Sequence, residues 1–177
     1  MQHCKSASRC LIVAGFGAAL ACGPAFGTDS SGVAGAPAVV FVCDHGSAKS
    51  LVAASLFNRM AEQRGLAVRA LSRAVSERSV DSKVPDKVVQ VMGQDGFQVA
   101  AFKPQAMTAS EASAAARVVI INVEGPVESA SRAPAERWND IAPVTSEYGK
   151  AKSRLVSRIG ALLDELGRQG SGAPADR

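Results

Sequence analysis

Apolar positions along this chain recur in two ways. Ala38-Val39-Val40-Phe41-Val42 and Val118-Val119-Ile120-Ile121 are short unbroken apolar runs, rich in β-branched residues. Such runs fit strands buried on both faces, the pattern of a parallel sheet rather than of a half-exposed one. Leu66 to Leu71 reads as a further short strand. Elsewhere the apolar residues step at helical spacing. Leu51, Val52, Leu56 and Met60 line one side of Lys49 to Arg64, with Gly65 as the stop. Val88, Val89 and Met92 do the same between Pro85 and Asp95, before Gly96. Leu155, Ile159, Leu162 and Leu166 stripe a final helix over Ser146 to Leu166. Thr108 and Glu111 have capping-box spacing and open a short Ala-rich helix. A loop of about 20 residues, containing Pro126, Pro134, Trp138 and Pro143, precedes the last helix. Phe97, Val99 and Phe102 are expected to pack on the sheet. No internal repeat is present.

This alternation predicts an α/β three-layer sandwich around a central parallel sheet of about four strands. Ligands of such folds bind beyond the carboxyl ends of the strands. Residues 37–167 make up the domain, and Gly170 to Arg177, within a tail from residue 168, is expected to be disordered.

The N-terminus has a different pattern. Lys5 and Arg9 precede an apolar and small stretch from Leu11 to Ala21, broken by Gly23-Pro24, and Ala25-Phe26-Gly27 offers small residues for cleavage. Residues 1–27 therefore read as a signal peptide, too short for a membrane span, and 28–36 as a flexible leader. This predicts an exported protein, periplasmic or secreted. Cleavage after Ala21 instead would leave Cys22 first, as a lipid-anchored protein requires, although Ala19 stands where Leu is usual.

Composition narrows the function. The 177 residues suit one domain, and 20 basic against 16 acidic residues give only +4. With no basic run or aromatic ladder, nucleic acid is not an expected partner. No apolar run reaches the roughly 20 residues of a bilayer span. The two histidines, His3 and His45, exclude a multi-histidine metal site, and neither a metal nor a cofactor is expected. Loss of residues 1–27 would remove Cys4, Cys10 and Cys22, leaving Cys43 without an internal disulfide partner. The oligomeric state is left open.

Chemistry concentrates at Cys43-Asp44-His45-Gly46-Ser47-Ala48-Lys49-Ser50, where a strand turns into a helix N-terminus. Small residues let the backbone curl so that successive N–H groups point inward, and the helix dipole adds to their pull on a tetrahedral oxyanion. The same nest favours a thiolate and makes Cys43 nucleophilic. Lys49 supplies a full positive charge, and Ser50 can donate a hydrogen bond to the sulfur. The alternative is a buried strand-end cysteine followed by an ordinary polar turn. His45 either charges beside the sulfur or satisfies a backbone carbonyl. Trp138 either walls the site or packs in the core. Arg73 either attracts anions or is a solvated charge.

Val-Phe-Val-Cys43-(x5)-Lys49-Ser50, followed by Asn58-Arg59-Met60-Ala61 and Leu71-Ser72-Arg73-Ala74, resembles the low-molecular-weight protein tyrosine phosphatases and the related arsenate reductases. The resemblance covers about residues 37–167 and implies their phosphatase-like α/β fold. It implies that Cys43 attacks the phosphorus of a phosphoester to form a cysteinyl-phosphate. The N–H groups of Asp44, His45, Gly46, Ser47, Ala48 and Ser50 would hold the oxygens, Ser50 would support the thiolate, and water would complete hydrolysis. Three departures, at four positions, separate the chain from the family pattern Cys-x5-Arg-Ser and its late Asp-Pro. Lys49 replaces Arg, a point charge for a planar fork. Gly46 stands for Asn and His45 for Gly, and Gly tolerates the left-handed backbone of that Asn. Ala142-Pro143 stands where the general acid would be, leaving Asp140 as the candidate substitute, ahead of Glu147 and beside the alternative of a plain surface acid.

Three functions follow, in order. The first is cysteine-dependent hydrolysis of a phosphotyrosine or small phosphoester. The second is a non-catalytic oxyanion-binding module. The third is an arsenate reductase, which would need an external thiol because the mature chain has no further cysteine.

Overall fold

The computed structural model describes residues 38–130 and 134–171. The predicted signal peptide, the leader and Cys22 lie outside the described residues.

The expected strand over 38–42 is β1 (Ala38–Cys43), and the helix behind it is α1 (Lys49–Gln63). They are followed by β2 (Arg69–Ala74), a 3-10 turn over Glu77–Ser79 and α2 (Asp86–Gln94). Then come α3 (Ala109–Ala114), β3 (Ala115–Ile121), a 3-10 turn over Glu128–Ala130, β4 (Ala135–Trp138) and α4 (Tyr148–Ser171). All pairings in the sheet are parallel, in the order β2-β1-β3-β4. Chain direction across the sheet reverses at β1, so the carboxyl end of β1 is the switch point where such folds bind ligands.

β1 shows why its sequence does not alternate. Val39, Phe41 and Cys43 enter one core with α1, α2 and α4, while Val40 and Val42 enter a second core with α3. Phe41 is fully buried, its ring 5.8 Å from Phe57 and 5.6 Å from Trp138. Val99 joins the same core, and Phe97 and Phe102 pack against it half-buried. Beside them Arg59 spreads its guanidinium over the Phe97 ring at 3.5 Å and donates to the Asp95 carbonyl. Asp95 also accepts from Tyr148 and Lys152, which ties α4 to the end of α2. The hydrogen bonds from Lys152 and Tyr148 hold the Asp95 carboxyl below its usual range. Burial, with the Asp95 hydrogen bond, pushes the Tyr148 phenol up.

Three expectations change, and one open choice is decided. The second strand is Arg69–Ala74, three residues later than Leu66–Leu71, because Leu66 and Val68 pack on the core from the connection and not from the sheet. The late loop contains β4, an edge strand that buries only Trp138 and therefore lacks an apolar run. Trp138 is 1% exposed, so it packs in the core and does not wall the site. The last helix continues to Ser171, into the stretch assigned to the tail.

Candidate active site

Backbone geometry draws the loop after β1 against the end of β2. Gly46 has φ +71, and a Cβ there would lie 2.7 Å from the Ala74 nitrogen and 3.0 Å from the Arg73 carbonyl carbon. Backbone atoms cannot move aside as a side-chain tip can, so only glycine fits. This explains why the Asn of the resembled pattern is absent from this position. Val75 donates its N–H to the Cys43 carbonyl, fixing the strand end from the other side.

Cys43 is 5% exposed and its Sγ lies 3.0 Å from Ser50 Oγ in the first turn of α1. Ser72 Oγ lies 2.9 Å from Ser50 Oγ and 3.0 Å from the Gly46 carbonyl. A hydroxyl carries one proton, so Ser72 donates to one of them at a time. When it donates to Ser50, the Ser50 proton is aimed at sulfur, the arrangement that stabilises a thiolate. When it donates to Gly46, the chain can run outward from a thiol through Ser50. Ser50 and Ser72 are both buried, so this three-group chain is shielded from solvent. The sequence reading missed Ser72; a serine within an otherwise apolar strand end was the available signal.

α1 begins without help from its own side chains. Its N-cap is Ala48, which makes no side-chain cap, and its first turn holds no acidic residue. The free N–H groups of that turn and the dipole are thus left for an anion. Lys49, the first helical residue, is half-buried and makes no ion pair among the described residues, so its charge is not neutralised by a partner. Gly46 and Ser47 are buried, Asp44 and Ala48 half-buried, and His45 exposed. The loop residues named from sequence are therefore brought together around Cys43.

His45 takes the quieter of its two readings. Its Nδ1 lies 2.8 Å from the Ser79 carbonyl, so this nitrogen carries the proton and donates. Asp81, unforeseen in the sequence, reaches the same loop. Its N–H donates to the His45 carbonyl at 3.3 Å, and its carboxylate accepts from Ser47 Oγ.

Two charged candidates lie elsewhere. Arg73 is neither a solvated charge nor an anion receptor: it is 6% exposed and forks onto Glu111 at 2.6–3.1 Å. Burial alone would raise the Glu111 carboxyl, but hydrogen bonds from Arg73 and the Thr108 backbone outweigh it and hold the carboxyl below its usual range. Glu111 also completes the predicted capping box with Thr108.

Asp140 does not fit the acid role expected of it. Arg154 and Arg158 of α4 both bond its carboxylate. The hydrogen bond from Arg158, assisted by Arg154, holds that carboxyl below the ordinary range against the opposing effect of burial. A carboxyl so stabilised as the anion has already given up its proton at neutral pH and has none to donate. Glu147 pairs with Lys150 on α4. Among the described residues, no cluster of three or more His, Cys, Asp or Glu could hold a metal.

Known structures share this fold. YfkJ from Bacillus subtilis is similar at TM-score 0.65 and 13% identity, over 78% of this chain and 99% of its own. A low molecular weight protein tyrosine phosphatase from Bacillus subtilis matches at TM-score 0.61 and 16% identity, over 74% and 97%. An arsenate reductase from Archaeoglobus fulgidus matches at TM-score 0.55 and 23% identity, over 71% and 98%. Comparison with curated proteins gives no match. The sequence model of low molecular weight phosphotyrosine protein phosphatases matches residues 38–154, from the first residue of β1 into α4. The chain thus belongs to the low molecular weight phosphotyrosine protein phosphatase family.

Proposed function

We propose that this protein is an exported cysteine-dependent phosphatase acting on a phosphotyrosine or a small phosphate monoester. The observation that carries this reading is Cys43 Sγ 3.0 Å from Ser50 Oγ, with Ser72 behind it, at an uncapped helix N-terminus. The substrate phosphoryl group sits at the α1 N-terminus. Cys43 attacks phosphorus as the thiolate, and Ser50 stabilises that thiolate before attack and again when the cysteinyl-phosphate is hydrolysed. Lys49 neutralises the oxygens as they gain charge, though as a point charge rather than a fork. The lone thiol of the domain favours hydrolysis over arsenate reduction, since a reductase passing oxidation between its own cysteines needs a second one, and Cys43 is the only cysteine among the described residues. Export rests on the Lys5 to Gly27 pattern.

The test is turnover of p-nitrophenyl phosphate by purified protein. The reading expects hydrolysis that Cys43→Ser abolishes and inorganic phosphate inhibits. Phosphate or arsenate binding without turnover would favour the oxyanion-binding module, and arsenate consumption with an added small thiol would favour the reductase.

A further inference from the structure

With Ala142 in place of the late-loop acid, Asp140 held by two guanidiniums and Glu147 paired with Lys150, each carboxylate of the β4–α4 segment is engaged by α4, and an ester with a poor leaving group needs a proton donor from elsewhere. The segment after β2 supplies a carboxyl group instead. It is tied to the oxyanion loop at three points: His45 Nδ1–H donates to Ser79 O, Asp81 N–H to His45 O, and Ser47 Oγ–H to Asp81 Oδ2. Ser47 is 1% exposed and lies four residues after Cys43, within the loop to which the phosphatase reading assigns the oxyanion. The Asp81 side chain keeps 36% of its surface exposed, so it borders both the loop and the solvent from which substrate enters. Its second oxygen, Oδ1, is 3.9 Å from His45 Nδ1, whose proton is already directed at Ser79. Oδ1 is therefore the oxygen left to carry a proton. Asp44 also follows the nucleophile, but among the described residues no hydrogen bond or ion pair orients its carboxylate.

We propose that Asp81 is the general acid and base of the reaction, replacing the late-loop acid from the opposite side of the site; this rests on the phosphatase reading above. As the Cys43 sulfur bonds to phosphorus and the ester P–O bond breaks, the electron pair goes to the leaving oxygen, which takes the proton from Asp81. The resulting carboxylate then accepts a proton from the water that attacks the cysteinyl-phosphate. The S–P bond breaks, its electron pair returns to sulfur, and the products are alcohol, phosphate and the original thiolate with a protonated Asp81.

Leaving-group dependence tests this. Nitrophenolate departs without a proton, whereas phenol needs one. Asp81→Asn should therefore lower kcat/KM for phenyl phosphate by about 10²-fold more than for p-nitrophenyl phosphate, the usual range for general-acid catalysis. Asp81→Glu, which keeps the acid, should recover part of the difference. Equal losses on both substrates would overturn the assignment by making Asp81 a support for the loop only. So would the same discrimination appearing in Asp140→Asn in its place. Wild-type protein that hydrolyses neither ester would refute the phosphatase reading itself, whereas Cys43-dependent hydrolysis indifferent to Asp81 would refute this assignment alone.

Discussion

The carboxyl ends of β1 and β4 lie on the same edge of one sheet and have been treated differently. After β1, a glycine too close to β2 for any other residue, two buried hydroxyls and an uncapped helix surround the Cys43 sulfur. After β4, the carboxylate nearest the expected acid position is spent on α4, where Arg154 and Arg158 clamp it and Arg158 also lies 5.5 Å from the Trp138 ring. The first region gathers hydroxyls and a helix N-terminus around one sulfur, and the second ties its carboxylate to a helix as scaffold. On the proposed phosphatase reading, the nucleophile is fixed at the sheet's switch point, while the acid depends on a loop and has changed place.

The contrast breaks most completely at Gly46. Gly46→Ala forces a Cβ to 2.7 Å from the Ala74 nitrogen in a left-handed conformation. It should cost about 2–4 kcal/mol in urea denaturation and lower kcat/KM for p-nitrophenyl phosphate more than tenfold. Lys49→Arg should sharpen the contrast. With no ion pair to lose, the new guanidinium can fork onto two oxygens and raise kcat/KM about 10- to 100-fold. An unchanged or lower value would mean that the loop is rebuilt for another ligand. The smallest effect belongs to the other region. Asp140→Asn should change kcat/KM less than about twofold and lower stability at neutral pH by no more than about 1 kcal/mol. Because the folded carboxyl is depressed below its ordinary 3.8, the stabilisation is present above that value and fades as pH falls through the folded one. Urea midpoints of wild type and variant should accordingly converge in strong acid.

Legibility in the sequence divides along similar lines. β1, α1 and the α3 capping box were readable because each depends on neighbours in the chain: an unbroken β-branched run, a 3.6-residue stripe, Thr108 with Glu111. The Cys43 to Ser50 loop was readable for the same reason, as its chemistry is packed into eight consecutive residues. β4 was not, since an edge strand reading Ala-Glu-Arg-Trp carries no apolar run. Ser72 and Asp81 escaped because what gives them meaning is a partner 22 or 34 residues away. Arg73 was misread because its charge is cancelled by Glu111, 38 residues later, which no local pattern reveals.

The most direct measurement is mass spectrometry of the protein quenched in acid during turnover of p-nitrophenyl phosphate. A phosphoryl group on the peptide containing Cys43, absent from Cys43→Ser, is the predicted result. Sustained turnover with that peptide unmodified, or with the phosphoryl group on another residue, would contradict it.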